Sequence, residues 1–342
     1  MKNKLTSAIA LIIFSVALVV TALIPRNLGN TDTASGTLKT GLAIFTNVKE
    51  STEATADADG VNSTAITVAA VIVDEDGKVV ACEIDALGAT VSFNASGVIT
   101  SDLNAACLTK AELKDDYNMK VNSSIQKEWY EQVEAFEDYC IGKTADEIKG
   151  IAINDETGYV DGLETSCTMH PGNFQYVVAA AVENAAVTGA NADDKLGLAI
   201  STVLNKSKDA TSEDNGLAEV YSTVAATTVD ADGKVTSAVI DAVQADVTFD
   251  TTGKITSDIN ADILTKNEKK DDYGMRAHSS IQKEWYEQAE SFANYCVGKT
   301  ADEIKGIAIN DETGFVDGLE TSCTMHPGNF QYVVANAIGY AE

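Results

Sequence analysis

One block of 58 residues occurs twice in this chain. Ser123 to Ala180 returns as Ser279 to Asn336, 156 positions further on, with seven substitutions. Each copy holds SSIQKEWYEQ, GKTADEIKGIAINDETG and VDGLETSCTMHPGNFQYVVA. Gly41/Gly197 and Trp129/Trp285 keep the same offset, so the copies align almost without gaps. So long a period in only two copies predicts tandem domains and not a solenoid. The repeats span 39–187 and 195–342, joined by the short polar linker 188–194 (TGANADD).

Each repeat opens with strand patterning. TAITVAAVIV (64–73) and KVVACEIDA (78–86) flank the acidic turn Asp74-Glu75-Asp76-Gly77, and a third strand, ATVSF (89–93), follows. The second copy places Asp230-Ala231-Asp232-Gly233 at the same turn. These DxDG turns lack the further ligands of a calcium loop and read as hairpin turns. A helical half follows. Ser123 with Gln126 predicts the start of a helix carrying Ile125, Trp129, Val133, Phe136 and Cys140 on one face, with Gly142 ending it. Thr144 and Glu147 predict a capping box for the helix ADEIK. IAIN reads as a strand, DETG as a turn and FQYVVAAAV as a C-terminal helix. The fold class is α+β: two tandem repeats, each a twisted antiparallel β-sheet with packed helices, after an N-terminal apolar segment.

Composition narrows the partners. The chain carries 52 acidic and 24 basic side chains, a net charge of −28. That field repels phosphate backbones, so no nucleic-acid partner is expected. Lys2 and Lys4 precede an uncharged run from Leu5 to Pro25, closed by Arg26. Residues 1–26 therefore predict a signal peptide, with Val20-Thr21-Ala22 as cleavage site, or an N-terminal membrane anchor. Residues 27–38 read as a polar tether, and the absence of a Cys after the apolar run excludes a lipid anchor there. The lysines ahead of that run place the repeats on the outer face, extracellular or membrane-anchored.

An exported chain with six cysteines predicts disulfides. Cys140 and Cys167 recur as Cys296 and Cys323, whereas Cys82 and Cys107 become Ala238 and Ile263 together. Joint retention and joint loss predict the pairs Cys82–Cys107, Cys140–Cys167 and Cys296–Cys323. The rival is metal: Cys167 and His170 have C-x-x-H spacing, and Cys140 could join them. Three such ligands fall short of a closed zinc site, so no metal is expected unless a carboxylate completes it. His170 and His326 read as capping or surface residues near a helix N-terminus. Lys, Glu, Asp and Tyr in LTKAELKDDYNM and LTKNEKKDDYGM, including Asp115 and Asp116, read as a solvated loop. Trp129 and Trp285 read as core. No nucleophile elbow, glycine-rich phosphate loop or HExxH motif occurs, and no catalytic residue is assigned.

The hairpin AVIVDEDGKVVACEI and the segments Thr165-Ser166-Cys167-Thr168 and Thr321-Ser322-Cys323-Thr324, each ahead of a helix, carry a resemblance. They are similar to the FMN-binding domain family of exported flavoproteins, which includes domains of sodium-pumping quinone reductase subunits and of surface electron-transfer proteins. That family has hairpins of the form V-x-V-x-x-D-G-K-I-x-x-V and a Ser-Gly-Ala-Thr motif leading into a helix. Here Ser166 and Cys167 stand where the family has Gly and Ala. The resemblance implies FMN as cofactor, carried by Thr168 and Thr324 through a phosphoester bond made by a flavin transferase. It places Ser166 and Ser322 beside them, with Asn173 and Asn329 at the helix N-termini, whose unpaired N–H groups suit a phosphate. The implied role is flavin-based electron transfer with a redox partner at the cell envelope. The alternative is a non-catalytic surface or structural protein that keeps the fold without the cofactor.

Protease added to intact, wall-permeabilised cells is expected to digest the chain beyond Arg26. Full protection would overturn export, and N-terminal sequencing of the mature protein decides whether Ala22 is the cleavage site.

Overall fold

Strand β2, Gly60–Val73, shows why the layers stack as they do. Its last eight residues, from Ile66 to Val73, are all buried, so both faces of the strand are covered. Val68, Ala70 and Ile72 enter one apolar cluster and Ala69, Val71 and Val73 another. A continuous apolar run of this kind suits only a strand packed on both sides. The computed structural model describes residues 38–341. The segment 1–26 and the tether up to residue 37 lie outside the described residues.

The first half holds β1 (Leu38–Asn47), β2, β3 (Val79–Phe93), α1 (Lys110–Leu113), α2 (Trp129–Cys140), α3 (Ala145–Lys149) and α4 (Gly172–Asn184). Strand β4 (Val187–Ala190) leads into β5 (Lys195–Val203), β6 (Gly216–Val229) and β7 (Val235–Phe249). Helices α5 (Lys266–Lys269), α6 (Trp285–Cys296), α7 (Ala301–Lys305) and α8 (Gly328–Tyr340) complete the second half. Short 3-10 turns follow α1 and α5. The fold is mixed α+β with two antiparallel sheets, of order β3-β2-β1-β4 and β5-β6-β7.

The sheets face each other. One cluster draws Leu42, Ile44, Val68, Ile72, Val91 and Phe93 from the first sheet and Leu198, Val220, Val224, Val247 and Phe249 from the second. Phe93 and Phe249, both fully buried, stack with centroids 3.9 Å apart and planes 1° from parallel. Around them the halves exchange backbone bonds at matching positions: Ala54 N–H donates to Gly253 O at 2.9 Å and Ala210 N–H to Gly97 O at 2.7 Å. Buried Asn62 donates its amide to Ala218 O and Ala245 O at 2.8 and 2.9 Å. The helices cover the two outer faces, where Trp129, Phe136 and Phe174 fill one cluster and Trp285, Phe292 and Phe330 the other. Helix α4 crosses β1 so closely that a Cβ at Gly41 would meet the Ala181 carbonyl, and α8 does the same at Gly197 over Ala337. Within the described residues, both halves belong to one compact unit.

Several local readings change in three dimensions. Residues 78–86 and 89–93 join into the single strand β3, because Leu87 and Gly88 stay paired to β2. The first long helix starts at Trp129, not Ser123. Gln126 has φ of +53°, and the Glu131 carboxylate accepts the Glu128 N–H at 2.7 Å, which sets the cap at Glu128, five residues later than Ser123. The Thr144–Glu147 capping box forms as expected. IAIN makes only an isolated bridge, Ile153 to Val160. Residues 188–190 of the expected linker pair with β1 as part of β4.

Phe93→Ala and Phe249→Ala should each cost about 3–5 kcal/mol in denaturant unfolding. The double variant should cost less than their sum, since the rings touch. Additive losses would show that the stack does not couple the halves.

Candidate cleft of the second half

The outward face of β6 and β7 carries polar side chains at the end that the long helices leave uncovered. Glu219 and Tyr221 project from β6, and Gln244 from β7; the Gln244 amide donates to the Glu219 carboxylate at 3.1 Å. Over them lies the LTKNEKKDDYGM segment. Thr265 caps α5, accepting the Glu268 N–H at 3.1 Å while the Glu268 carboxylate accepts the Thr265 N–H at 2.7 Å. This capped turn points the next residue, Lys266, inward. Lys266 is 6% exposed, and its ammonium lies 4.7, 4.7 and 5.2 Å from the ring centroids of Tyr221, Tyr273 and Trp285. It also donates to the Tyr221 hydroxyl at 3.2 Å. Burial pushes this lysine down to about 8, against the pull of Glu219, Asp241 and Asp246.

A cleft of about 710 Å³ opens beside this lysine, lined by Tyr221, Tyr273, Trp285, Met275 and Phe330, with Lys206, His278 and His326 at hand. Thr324, ahead of α8, and Asn329, in its first turn, also line it. No Asp or Glu does, although the chain has 52 of them. Two of its three histidines are there.

Gln288 braces the cleft from behind. It is fully buried, donates to Ser279 Oγ and Lys283 O at 3.1 Å each, and accepts from Thr324 N–H at 2.9 Å and the Thr324 hydroxyl at 3.3 Å. Gln132 holds Thr168 in the same way, at 2.9 and 3.2 Å. Both threonine hydroxyls thus donate within the protein. Ser166 and Ser322 turn their hydroxyls to the carbonyls of Leu163 and Leu319. Asn173 is exposed at the start of α4.

The histidines gain a structural account. His326 Nδ1 lies 3.2 Å from Gly314 O, and its ring packs over Gly314, where φ of +72° and the lack of a Cβ admit it. His170 sits over Gly158 in the same manner and meets Tyr159 edge-on at 6.1 Å. Each therefore ties a DETG turn to the approach of a helix. Among the described residues, no group of three or more His, Cys, Asp or Glu is placed to hold a metal ion.

The expected bridges are not formed. Cys107, Cys140, Cys167, Cys296 and Cys323 are thiols in the structure. Cys167 adjoins Thr168, which is bonded to Gln132 in the first turn of α2, whereas Cys140 ends that helix roughly 12 Å along its axis. Cys323 and Cys296 stand in the same relation through Gln288. Cys82 and Cys107 pack against different clusters, the first toward the helices and the second toward the other sheet.

Thr324 and Asn329, expected from the sequence, line the cleft, whereas the LTK segment is only partly the solvated loop its charges predict. Asp115 and Asp116 are indeed exposed, but Lys266 is buried. Lys206, Tyr221, Tyr273 and His278 complete the lining, and no motif in the sequence marks them. The first half keeps Lys110 over Tyr117 and Trp129, at 4.9 and 5.5 Å. By the repeat offset it has Glu50, Ala65 and Asn122 where the cleft has Lys206, Tyr221 and His278. That divergence was legible in the sequence, and only the cleft gives it meaning. No family model matches the chain, and neither does any curated protein or solved structure at the significance applied.

Beneath the capped turn, the Asp241 carboxylate accepts the N–H groups of Ala242 and Asn267 at 2.7 and 3.0 Å, as Asp85 accepts those of Ala86 and Ala111 at 2.7 and 3.1 Å. Burial pushes Asp241 up to about 7 and Asp85 to about 6, outweighing the hydrogen bonds that favour the charged form. Both folded values lie above the ordinary 3.8, so their stabilising contribution is complete below about pH 4 and is lost as pH rises through 6 and 7. Denaturant melts at pH 5 and pH 8 should show this loss in the wild type and less of it in Asp241→Asn. An equal loss in the variant would refute the assignment.

Proposed function

We propose that this chain is an exported cell-envelope protein of two FMN-binding-like repeats, whose second repeat binds FMN non-covalently for electron transfer. The observation that carries the reading is the cleft: three aromatic rings beside a buried ammonium, two histidines and Lys206, without a lining carboxylate, in a protein of net charge −28. Rings suit a planar isoalloxazine, and the cations suit a phosphate that the rest of the surface would repel. The start of α8 beside Asn329 adds the backbone N–H groups of a helix N-terminus. Non-covalent binding is favoured because the Thr324 hydroxyl is engaged with Gln288, and that of Thr168 with Gln132. Flavin, when bound, would supply the redox chemistry; the protein's part is to stack the ring and neutralise the phosphate.

The same engaged hydroxyls favour the second reading, a surface protein that keeps the fold without cofactor. Titration of the full chain with FMN separates the two. Flavin fluorescence is expected to quench on binding, and Trp285→Ala should weaken affinity roughly tenfold. Replacing Lys206, Tyr221 and His278 with the first repeat's Glu, Ala and Asn should abolish binding. No retention of FMN in equilibrium dialysis would leave the surface-protein reading in place.

A further inference from the structure

The lysine buried beside the cleft sits on a backbone fixed from both sides. Thr265 and Glu268 close the cap ahead of it. Behind it, Asn267 donates its N–H to Asp241 at 3.0 Å and its side-chain amide to Ile240 O at 2.9 Å. Lys266 is thus held with its ammonium among the rings of Tyr221, Tyr273 and Trp285, donating to the Tyr221 hydroxyl at 3.2 Å. Among the described residues, no carboxylate lies within 4.0 Å of that ammonium, the reach of an ion pair. The charges acting on it from further away are Glu219 on β6, Asp241 and Asp246 on β7, and Lys269 on its own helix. The first half keeps the lysine as Lys110, half-buried, but has Ser63, Ala65 and Thr90 where the second has Glu219, Tyr221 and Asp246. The enclosure of the amine therefore belongs to the second half alone.

We propose that Lys266 is a nucleophilic amine and condenses with a small anionic carbonyl compound, an aldehyde or 2-oxo acid, that enters the cleft to form an imine. The inference goes beyond the flavin reading and does not rest on it. Lysine attacks a carbonyl only as the neutral amine, and an apolar enclosure favours that form. With burial holding Lys266 at about 8, half of it is neutral near pH 8, against roughly 0.4% of an ordinary lysine. Lys206, His278 and His326 line the same cleft and suit the anionic group of the ligand, which no lining carboxylate opposes. The amine lone pair attacks the carbonyl carbon while the C=O π pair moves onto oxygen. The resulting carbinolamine loses that oxygen as water, which carries off the two amine hydrogens and leaves a C=N bond. No electrons pass to or from a third compound. Burial pushes the Tyr221 phenol up to about 12, so it stays protonated. At 3.2 Å from the amine it is placed to relay one of those hydrogens to the departing oxygen.

The full chain is incubated with pyridoxal phosphate, an aldehyde with a phosphate on a planar ring, and reduced with borohydride. Hydride fixes any imine as a secondary amine, and peptide mass mapping locates it. At pH 8, Lys266 is expected to be labelled at least about tenfold faster than Lys110, with a rate that levels off above about pH 8. Lys266→Arg, which keeps the charge but forms no imine, should remove this fast phase from the intact mass. Tyr221→Ala, which copies Ala65, should slow Lys266 to the rate of Lys110. Labelling of Lys266 no faster than Lys110 would overturn the proposal, as would a fast phase that survives Lys266→Arg or Tyr221→Ala. FMN retention is measured separately by equilibrium dialysis. Fast labelling without FMN retention removes the flavin reading alone, and FMN retention without fast labelling removes this inference alone.

Discussion

The face-to-face packing of the two sheets is the constraint on which the remaining architecture depends. Phe93 and Phe249 stack at its centre, and Val68, Ile72, Val220 and Val224 extend it on either side. A sheet that gives one face to its twin has one face left, and that face must be covered by helices or stay wet. Helices α4 and α8 provide the cover, lying so close over β1 and β5 that Gly41 and Gly197 have no room for a side chain. The middle of β2 is therefore dry on both sides, which explains why its residues run TVAAVIV without alternation.

The candidate cleft arises where that cover ends. Beyond the long helices, the outer face of β6 and β7 would be open were it not for the capped turn carrying Lys266 and the approach to α8. Tyr221, Tyr273 and Trp285 surround the lysine and offset part of the cost of burying its charge. Glu219 and Asp241 lie near enough to favour the ammonium, although burial prevails. Such a cluster costs stability, because an ammonium is taken out of water. That cost, and the absence of lining carboxylates from so acidic a protein, single this region out as a candidate site.

The two halves have diverged unevenly. The block from Ser123 to Ala180 and its copy hold the helix caps, the Gln132/Gln288 braces and the His–Gly turns, all of which have structural work in both halves. The strands have changed more. Ala65 against Tyr221, Ser63 against Glu219 and Cys82 against Ala238 all alter the helix-facing side of a sheet. The helical frame is thus held nearly constant while the surfaces beneath it differ, polar and aromatic in one half and thiol-bearing in the other.

Sequence alone determined the repeat, the class of fold, the hairpin turns, the Thr144–Glu147 cap and the core positions of Trp129 and Trp285, because each rests on local pattern or on a comparison along the chain. It also pointed to Thr324 and Asn329. Tertiary structure decided what those patterns could not carry. The helix starts at Trp129 because Glu128 and Glu131 interact there, while Gln126 takes a left-handed conformation. A lysine in a charged loop is buried because three rings from β6, the 3-10 turn and α6 converge on it. Cys82 and Cys107 face different layers because strand pleating sends one toward the helices and the turn after β3 sends the other toward the second sheet. In each case the deciding partner lies far along the chain, and a spacing rule registers only neighbours.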